Sequence, residues 1–374
     1  MIYADNAATT ALDIDAFEAM KPYLLGEYGN ASQPYSFARS AKKAMAAARK
    51  TIANCIGALP EEIYFTSGGT EGDNWAIKGM MQYGDGRAII TSQIEHHAIL
   101  NACAAVERLG FPVAYLNVDE NGRADPDALR KIITSNTKLV SIMLVNNEIG
   151  TIQPVKELSA VAHEFGAIFH TDAVQAVGHI PVDVTELGID MLSASAHKFN
   201  GPKGAGFFYI KKGTPIRPFS DGGSQEFGLR AGTENVAFIV AMAEALRKNC
   251  AQMKNTEYKL RKMEDVLIHI LNEAGIDYIR NGNSNHLPGN INISIKNASG
   301  EMLLHRLDLK GICVSTGSAC DSVNTQVSHV IRAIGVPEDY AGGTIRISFG
   351  RDNQENDAQV IADAIVDILK KSIS

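Results

Sequence analysis

The stretch Leu139-Val-Ser-Ile-Met-Leu-Val145 is apolar and rich in β-forming residues, and a second apolar run, Ala167-Ile-Phe-His170, follows it. A helical pattern over residues 155–165 separates the two runs. Short strands that are apolar throughout are typical of a parallel sheet covered by helices, because neither face of such a strand meets water. A strand, a helix and a second strand in this order therefore predict an α/β fold.

The same alternation continues on both sides of this stretch. Helical patterns precede it at residues 36–56, from about residue 70, and at residues 98–109. Further short strands are predicted at residues 62–65, 88–91, 191–194 and 206–210. Together these segments predict one large, mostly parallel sheet between layers of helices.

After about residue 235 the pattern changes to that of a smaller α+β unit. The unit begins with one long or broken helix over residues 235–274 and ends with a helix that carries an apolar stripe. Two strands and two short helices are predicted between them, at residues 290–295, 344–349, 301–309 and 330–334. We place the boundary between the two units near residue 250.

The composition excludes several classes of protein. The chain has 374 residues, 45% of them hydrophobic, and a formal net charge of −7. The negative charge disfavours a general surface for nucleic acid or anionic lipid. No apolar run approaches a membrane span of roughly 18 residues, and residues 1–5 resemble no secretory signal. We therefore expect no nucleic-acid partner and no membrane attachment.

The cysteines and histidines give no sign of a structural metal or a disulfide framework. The five cysteines are scattered and form no C-x-x-C pair: Cys55, Cys103, Cys250, Cys313 and Cys320. An odd, scattered set fits a reducing, cytoplasmic environment. The adjacent pair His96-His97 lacks a clear set of partner ligands, so we expect no metal centre.

Lys198 is the first candidate for chemistry. It ends the run Ser193-Ala-Ser-Ala-His197-Lys198, directly after a predicted buried strand. A desolvated lysine amine loses its proton more readily and can then form a Schiff base with a carbonyl. Taken alone, a surface lysine opening a loop is the commoner explanation. Lys203 competes for the role, but its Gly/Pro surroundings fit a solvated turn better.

Asp172 ends the second apolar run, in His170-Thr-Asp172-Ala-Val-Gln175. Ligands of α/β sheets bind beyond the carboxyl ends of the strands. A carboxylate there can pair with a pyridinium nitrogen and keep that nitrogen protonated. A helix N-cap is an equally good explanation of this residue alone.

A glycine-rich turn follows the predicted strand at residues 62–65. In Thr66-Ser-Gly-Gly-Thr-Glu-Gly72, exposed backbone N–H groups and a helix dipole would suit a phosphate. The turn lacks the lysine of a P-loop and the spacing of a dinucleotide fingerprint. A plain tight turn is the alternative.

Two further residues complete the set. Cys320 stands among small residues in Ser315-Thr-Gly-Ser-Ala-Cys320-Asp-Ser322, a pattern typical of an exposed loop carrying a thiol. Arg346 interrupts a β-branched strand, where it is either a carboxylate clamp or an outward-facing edge residue. A Schiff-base lysine, a ring-nitrogen aspartate, a phosphate site and a carboxylate clamp suit pyridoxal 5′-phosphate (PLP) acting on an amino acid. The cysteine adds sulfur chemistry.

At this point the chain resembles a known family, the cysteine desulfurases of the NifS/IscS type within the class V aminotransferases. The cysteine loop resembles group I of that family. The matching motifs run nearly end to end: Tyr3-Ala-Asp-Asn-Ala-Ala-Thr-Thr10, Thr66-Ser-Gly-Gly-Thr-Glu-Gly-Asp-Asn74, Glu95-His96, Asn146-Asn-Glu-Ile-Gly150, Asp172-x-x-Gln175, His197-Lys198, Arg230-Ala-Gly-Thr233, Gly317-Ser-Ala-Cys320 and Ile345-Arg-Ile-Ser348.

The resemblance implies PLP fold type I. A large domain at residues 13–250 would hold a mostly parallel seven-stranded sheet. A smaller α+β domain, made of residues 1–12 and 251–374, would carry the catalytic cysteine loop. It also implies a homodimer that converts L-cysteine to L-alanine and passes the sulfur, as a persulfide, to an acceptor protein for iron–sulfur cluster, thio-cofactor or tRNA pathways.

The resemblance also assigns roles to individual residues. Lys198 would bind the cofactor, Cys320 would accept the sulfur, and His96 would stack on the ring. Arg346 and Asn30 would hold the substrate carboxylate. The remaining cofactor contacts would come from Gly69, Thr70, Asn147, Asp172, Gln175, Ser195, His197 and, from the partner subunit, Thr233.

Alternatives remain on the same scaffold: a selenocysteine lyase, an aminotransferase, or a PLP-retaining protein that mainly holds partners. The chain also departs from the family's usual pattern at the substrate mouth, in Asn30-Ala-Ser-Gln33 and at Tyr35. The sequence after the last helix is short, so we expect no long docking tail for an iron–sulfur scaffold.

Overall fold

The computed structural model describes residues 1–81, 86–317 and 327–373. The strands in these ranges are β1 (Ile2–Tyr3), β2 (Ile63–Thr66), β3 (Ala88–Ser92), β4 (Val113–Leu116), β5 (Thr137–Ser141), β6 (Ile168–Asp172), β7 (Met191–Ser195), β8 (Gly206–Ile210), β9 (Tyr278–Asn281), β10 (Asn290–Ile295), β11 (Ile312–Cys313) and β12 (Thr344–Ser348). The α-helices are α1 (Ile14–Leu25), α2 (Arg39–Ile56), α3 (Gly69–Met81), α4 (His97–Glu107), α5 (Pro126–Ile132), α6 (Val155–Glu164), α7 (Val236–Glu273), α8 (Gly300–Asp308), α9 (His329–Ala333), α10 (Glu338–Ala341) and α11 (Asp357–Ile373).

A seven-stranded sheet in the order β2-β8-β7-β6-β5-β3-β4 forms the centre of the larger part. Only β8 runs against its neighbours, so the sheet is mostly parallel, as predicted. Strands β2, β3, β5, β6 and β7 run in one direction and end at the same edge of the sheet. Because ligands of α/β sheets bind at that edge, the topology alone locates the candidate site.

Apolar side chains fill both faces of this sheet. Phe169, Phe199 and Phe207 belong to the core on one face, whereas Trp75 and Phe208 belong to the core on the other. All five are essentially inaccessible to solvent. This two-sided burial explains why the strands read as continuous apolar runs in the sequence.

A separate antiparallel sheet, β12-β10-β9, and the parallel pair β1-β11 make up the smaller part. Its own core contains Ala4 from the N-terminal segment. Helix α7 is continuous over 38 residues and contributes Leu246 to the first core and Leu260 to the second. This confirms the predicted long helix and the smaller α+β unit.

The structure corrects some of the predicted bounds. Strand β5 ends at Ser141, before the end of the apolar run that was predicted as a strand. Beyond it, Ile142 and Leu144 still donate backbone hydrogen bonds to carbonyls of β6. The predicted helix over residues 36–56 is a short 3₁₀ turn, Ser36–Ala38, followed by α2. Strand β4 and helix α5 were not predicted at all. In the described part of the chain, every helix is too short or too polar to cross a bilayer.

Candidate active site

A cavity of about 500 Å³ opens at the carboxyl edge of the large sheet. Its walls come from the segments that follow β2, β3, β5, β6 and β7, and from the N-terminal segment. Ten of the predicted site residues line it: Gly69, Thr70, His96, Asn147, Asp172, Gln175, Ser195, His197, Lys198 and Arg346. Residues scattered over 278 positions of sequence therefore meet at one site.

Lys198 lies in a 3₁₀ turn, Ala196–Lys198, that directly follows β7. Its Nζ donates hydrogen bonds to the carbonyl oxygens of Ala7 at 2.6 Å and Ala8 at 2.7 Å. The side chain is half-buried, whereas Lys203, which also lines the cavity, is exposed. Lys198 is therefore the less solvated of the two candidate lysines.

Asp172 lies at the end of β6 and is buried, with its Oδ1 accepting the backbone N–H of Val174 at 2.9 Å. Burial raises the pKa of this carboxyl, and the nearby His96 and Lys198 act against the rise. The residues that follow, 174–179, form turns, so Asp172 caps a turn and is not the N-cap of a helix. A buried carboxyl group therefore lines the cavity.

His96 is the N-cap of α4, where its Nδ1 accepts the N–H of Ala98 at 3.1 Å. In the neutral ring the proton then lies on Nε2. Glu95 is fully buried beside it, accepts the N–H of Met143 at 3.0 Å, and has its pKa raised to about 8 by burial. This buried acid fixes the turn that presents His96.

The predicted phosphate site is a tight turn, Ser67-Gly68, at the start of α3. A Cβ on Gly69 would lie 2.4 Å from Cγ2 of Val174, so only glycine fits there. The first N–H groups of a helix lack partners within the helix and suit a phosphate. His197 lies opposite, with its pKa lowered to about 4 by burial and by Lys198, so the ring is neutral at pH 7.

Arg346 is almost completely buried in β12. Its Nη2 donates to Oδ1 of Asp5 at 2.7 Å, and its Nη1 donates to the carbonyl of Asn147 at 2.9 Å. Within the described residues Nε has no acceptor. Arg346 therefore faces inward and is not an outward-facing edge residue. Two of its nitrogens hold the guanidinium in place, and its Nε–H remains available as a donor.

Two predicted site residues in the described ranges, Asn30 and Thr233, do not line this cavity. Asn30 accepts the N–H of Ser32 through its own Oδ1, and Thr233 lines a separate cavity of about 160 Å³. Cys320 lies outside the described residues.

Several contacting groups were not predicted from the sequence. Asp5 and the carbonyls of Ala7 and Ala8 belong to a motif whose individual residues had no assigned role. Asp73 offers a carboxyl oxygen that lies, with atoms of Asp172 and His96, in a group spanning no more than 4.8 Å.

The fold and this cavity define a PLP-dependent enzyme of fold type I. The family model "Aminotransferase class-V" matches residues 2–361, and the chain belongs to that family. It is 49% identical over 373 residues to "Cysteine desulfurase IscS" of Dictyoglomus turgidum, covering 99% of this chain and 95% of the relative. It is 46% identical to the protein of the same name from Methanosarcina thermophila, covering 99% and 92%.

Solved structures agree with these relatives. A "NifS-like protein" superposes with a TM-score of 0.93 at 37% identity, over 99% of both chains. A structure titled "SspA in complex with cysteine" superposes with a TM-score of 0.84 at 35% identity, over 93% of this chain and 99% of the other.

Proposed function

We propose that this chain is a PLP-dependent cysteine desulfurase, which converts L-cysteine to L-alanine and retains the sulfur on Cys320. The observation that carries the proposal is the single cavity that unites Lys198, Asp172 and the pinned Arg346. The family and the named relatives support the same activity. None of the three alternatives on the same scaffold gives Cys320 the role of sulfur acceptor.

The residues present fit the cofactor. Gly69 and Thr70 line the cavity at the start of α3, where the first N–H groups of the helix would bind a phosphate, and the packing of Val174 leaves no space for a Cβ on Gly69. Lys198 stands where a carbonyl carbon can be captured, and Asp172 provides an anion for the ring nitrogen. We assign Thr70, Ser195 and His197 to the phosphate, Asn147 and Gln175 to the ring oxygen, and His96 to the ring face.

When bound, PLP supplies an electron sink for the bonds of the substrate's α-carbon. Lys198 would hold the cofactor, and its Nζ would be the atom that accepts the α-proton of the substrate. The carbonyls of Ala7 and Ala8 then hold the ammonium that this transfer produces, because two acceptors stabilise the charged form. The N-terminal segment thus belongs to the catalytic apparatus.

Arg346 binds the substrate carboxylate. Asp5 and Asn147 hold two of its N–H groups, which fixes the guanidinium plane before substrate arrives. A planar, preoriented guanidinium recognises a carboxylate with little loss of side-chain entropy on binding. We assign Asn30 to the same carboxylate, as the resemblance implies.

Cys320 attacks the substrate sulfur as a thiolate. A sulfur–sulfur bond forms, the carbon–sulfur bond breaks, and the carbon takes up a proton to give alanine. Cysteine plus the Cys320 thiol thus becomes alanine plus the Cys320 persulfide, and no external oxidant is needed. His96, with Nδ1 occupied by Ala98, has Nε2 as the nitrogen that exchanges a proton with a thiol.

Assembly and delivery belong to the same proposal. Thr233 does not line the PLP cavity of its own chain, which fits a phosphate contact made across a homodimer interface. The sulfur acceptor would be a protein of iron–sulfur cluster, thio-cofactor or tRNA pathways. The described cysteines are all free thiols, which fits a reducing cytoplasm. We retain the domain division at residues 1–12, 13–250 and 251–374.

A turnover assay tests the function directly. Purified protein should be yellow, and with L-cysteine and a reductant it should release alanine and sulfide in equal amounts. Lys198→Ala should lose the reducible bond to the cofactor and nearly all activity, whereas Lys203→Ala should keep both. A Lys198→Ala protein that still carries borohydride-reducible cofactor would refute the assignment.

A further inference from the structure

Asp73 is a buried carboxyl that the mechanism above does not use. It lies one turn into α3, and only 1% of the residue is exposed. One of its oxygens belongs, with an oxygen of Asp172 and a ring nitrogen of His96, to a group of atoms within 4.8 Å of one another. Asp73 is therefore a near neighbour of the anion assigned to the ring nitrogen.

The groups that face Asp73 provide no strong positive charge. Strand β6 contributes Asp172 and also His170, whose Nε2 lies 3.9 Å from Oδ1 of Asp73. His170 bonds the hydroxyls of Ser141 and Ser193 at 2.9 and 3.0 Å, and burial lowers its pKa to about 3, so it is neutral. Within the described residues, no lysine or arginine forms an ion pair with Asp73.

The remaining neighbours reinforce this picture. The Ser193 hydroxyl, on β7, hydrogen-bonds Asp73, and the segment after β3 contributes Glu95 and His96. Oδ1 of Asp73 has no hydrogen-bond partner in the described chain. Burial, together with the charge of Asp172, raises the pKa of Asp73 well above its usual range.

Two buried carboxyls this close cannot both be ionised near neutral pH without a cation between them. Of the two carboxyls, Asp172 is the one whose surroundings favour the ionised form. It accepts the N–H of Val174 at 2.9 Å, and Lys198 and His96 favour its anion. In the described part of the chain, the Ser193 hydroxyl is the only hydrogen-bond donor to Asp73, so the pair's proton belongs on Asp73.

We propose that Asp73 is a positioning residue that holds a proton behind Asp172 and so sets the charge of the carboxyl pair at −1. One negative charge on Asp172 matches one protonated ring nitrogen, whereas a second would repel the first and draw further protons to the site. The role rests on the proposed function, since it refers to the ring nitrogen that Asp172 receives.

Three variants separate the possible outcomes. Asp73→Asn replaces the carboxyl with a neutral group of nearly the same shape and so mimics the protonated acid. Asp172→Asn removes the anion itself. Asp265→Asn is the matched control, because Asp265 is an exposed carboxylate on α7.

Infrared spectroscopy of ¹³C-aspartate-labelled protein reports the proton directly. At pH 7 the holoenzyme should show an isotope-shifted C=O stretch of a protonated aspartic acid. Asp73→Asn should lose that band and Asp265→Asn should keep it. A spectrum of the parent without any protonated aspartate, or a band that survives in Asp73→Asn, would overturn the proposal.

The visible absorption of the bound cofactor gives a second, functional readout. If Asp73 is neutral, its replacement by asparagine should leave the midpoint of the pH-dependent absorption change where it is in the parent. If Asp73 is instead ionised, removing that charge should lower the midpoint by about one unit or more. Asp172→Asn should change the spectrum in either case.

The infrared measurement also works on PLP-free protein. A protein that binds no PLP but shows the Asp73 band would refute the proposed function and leave the protonation of Asp73 intact. A yellow, active enzyme without the Asp73 band would support the proposed function and refute the protonation of Asp73.

Discussion

Replacing Arg346 with leucine removes a guanidinium that is pinned by Asp5 at 2.7 Å and by the Asn147 carbonyl at 2.9 Å. We expect kcat/KM for L-cysteine to fall by about two orders of magnitude or more. Losing one member of a desolvated charge pair costs about 2–5 kcal/mol, and each 1.4 kcal/mol is a factor of ten. The substrate carboxylate would be that unpaired member.

The loss should appear mainly in KM, because the carboxylate contact exists before and during the reaction. Asp5 keeps some exposure, with 18% of its side chain accessible, so water can solvate it when the guanidinium is absent. The variant should therefore still fold and bind PLP, which its yellow colour would show.

Steady-state alanine formation over a range of cysteine concentrations is the assay. Arg108→Leu is the matched control, since Arg108 is exposed at the end of α4 and should be replaceable without effect. An Arg346→Leu enzyme with kcat/KM within threefold of the parent would refute the carboxylate assignment.

Three further predictions concern the supporting structure. Gly69→Ala should weaken PLP binding at least tenfold in a fluorescence titration of the apoprotein, because its Cβ meets Val174 at 2.4 Å; Gly26→Ala, with its nearest contact at 3.8 Å, should not. Glu226 is buried and accepts two hydrogen bonds from Arg49 and one from the backbone N–H of Phe65. Glu226→Gln should therefore lower the free energy of unfolding by about 3 kcal/mol in a urea titration. A loss below 0.5 kcal/mol would contradict this. Burial lowers the pKa of His170 from 6.5 to about 3, so the unfolded chain binds the extra proton between these values and stability falls as pH drops through that window. In that pH window the unfolding free energy of His170→Gln should decline less steeply than that of the parent, by about 1.4 kcal/mol per pH unit. Equal slopes for the two proteins would show that His170 does not cause the decline.

Continuous burial made the central strands predictable from the sequence. Strands β6 and β7 are buried almost throughout, and each begins with two large apolar residues, so Asp172 and Lys198 could be placed at or just beyond their carboxyl ends. Strand β4 is mostly half-buried and gives no such run. The run from Leu139 to Val145 overshoots β5 because burial continues into the turn beyond the strand.

The site was less completely predictable, for physical reasons. In the sequence Asp73 looks like an exposed acidic residue of a helix. Only the packing of α3 on β7 shows that it is buried. Asp5 meets Arg346 across 341 positions, a pairing that local sequence does not encode. The role proposed for Thr233 requires a partner subunit, and only the family resemblance suggests it.

The sulfur itself tests the central claim most directly. The enzyme is mixed with one equivalent of L-cysteine without reductant, quenched, and analysed by peptide mass spectrometry alongside alanine quantification. We predict one equivalent of alanine and one added sulfur atom on the peptide that contains Cys320. Alanine formed with no added sulfur on that peptide, or formed at the parent rate by Cys320→Ala, would contradict the account.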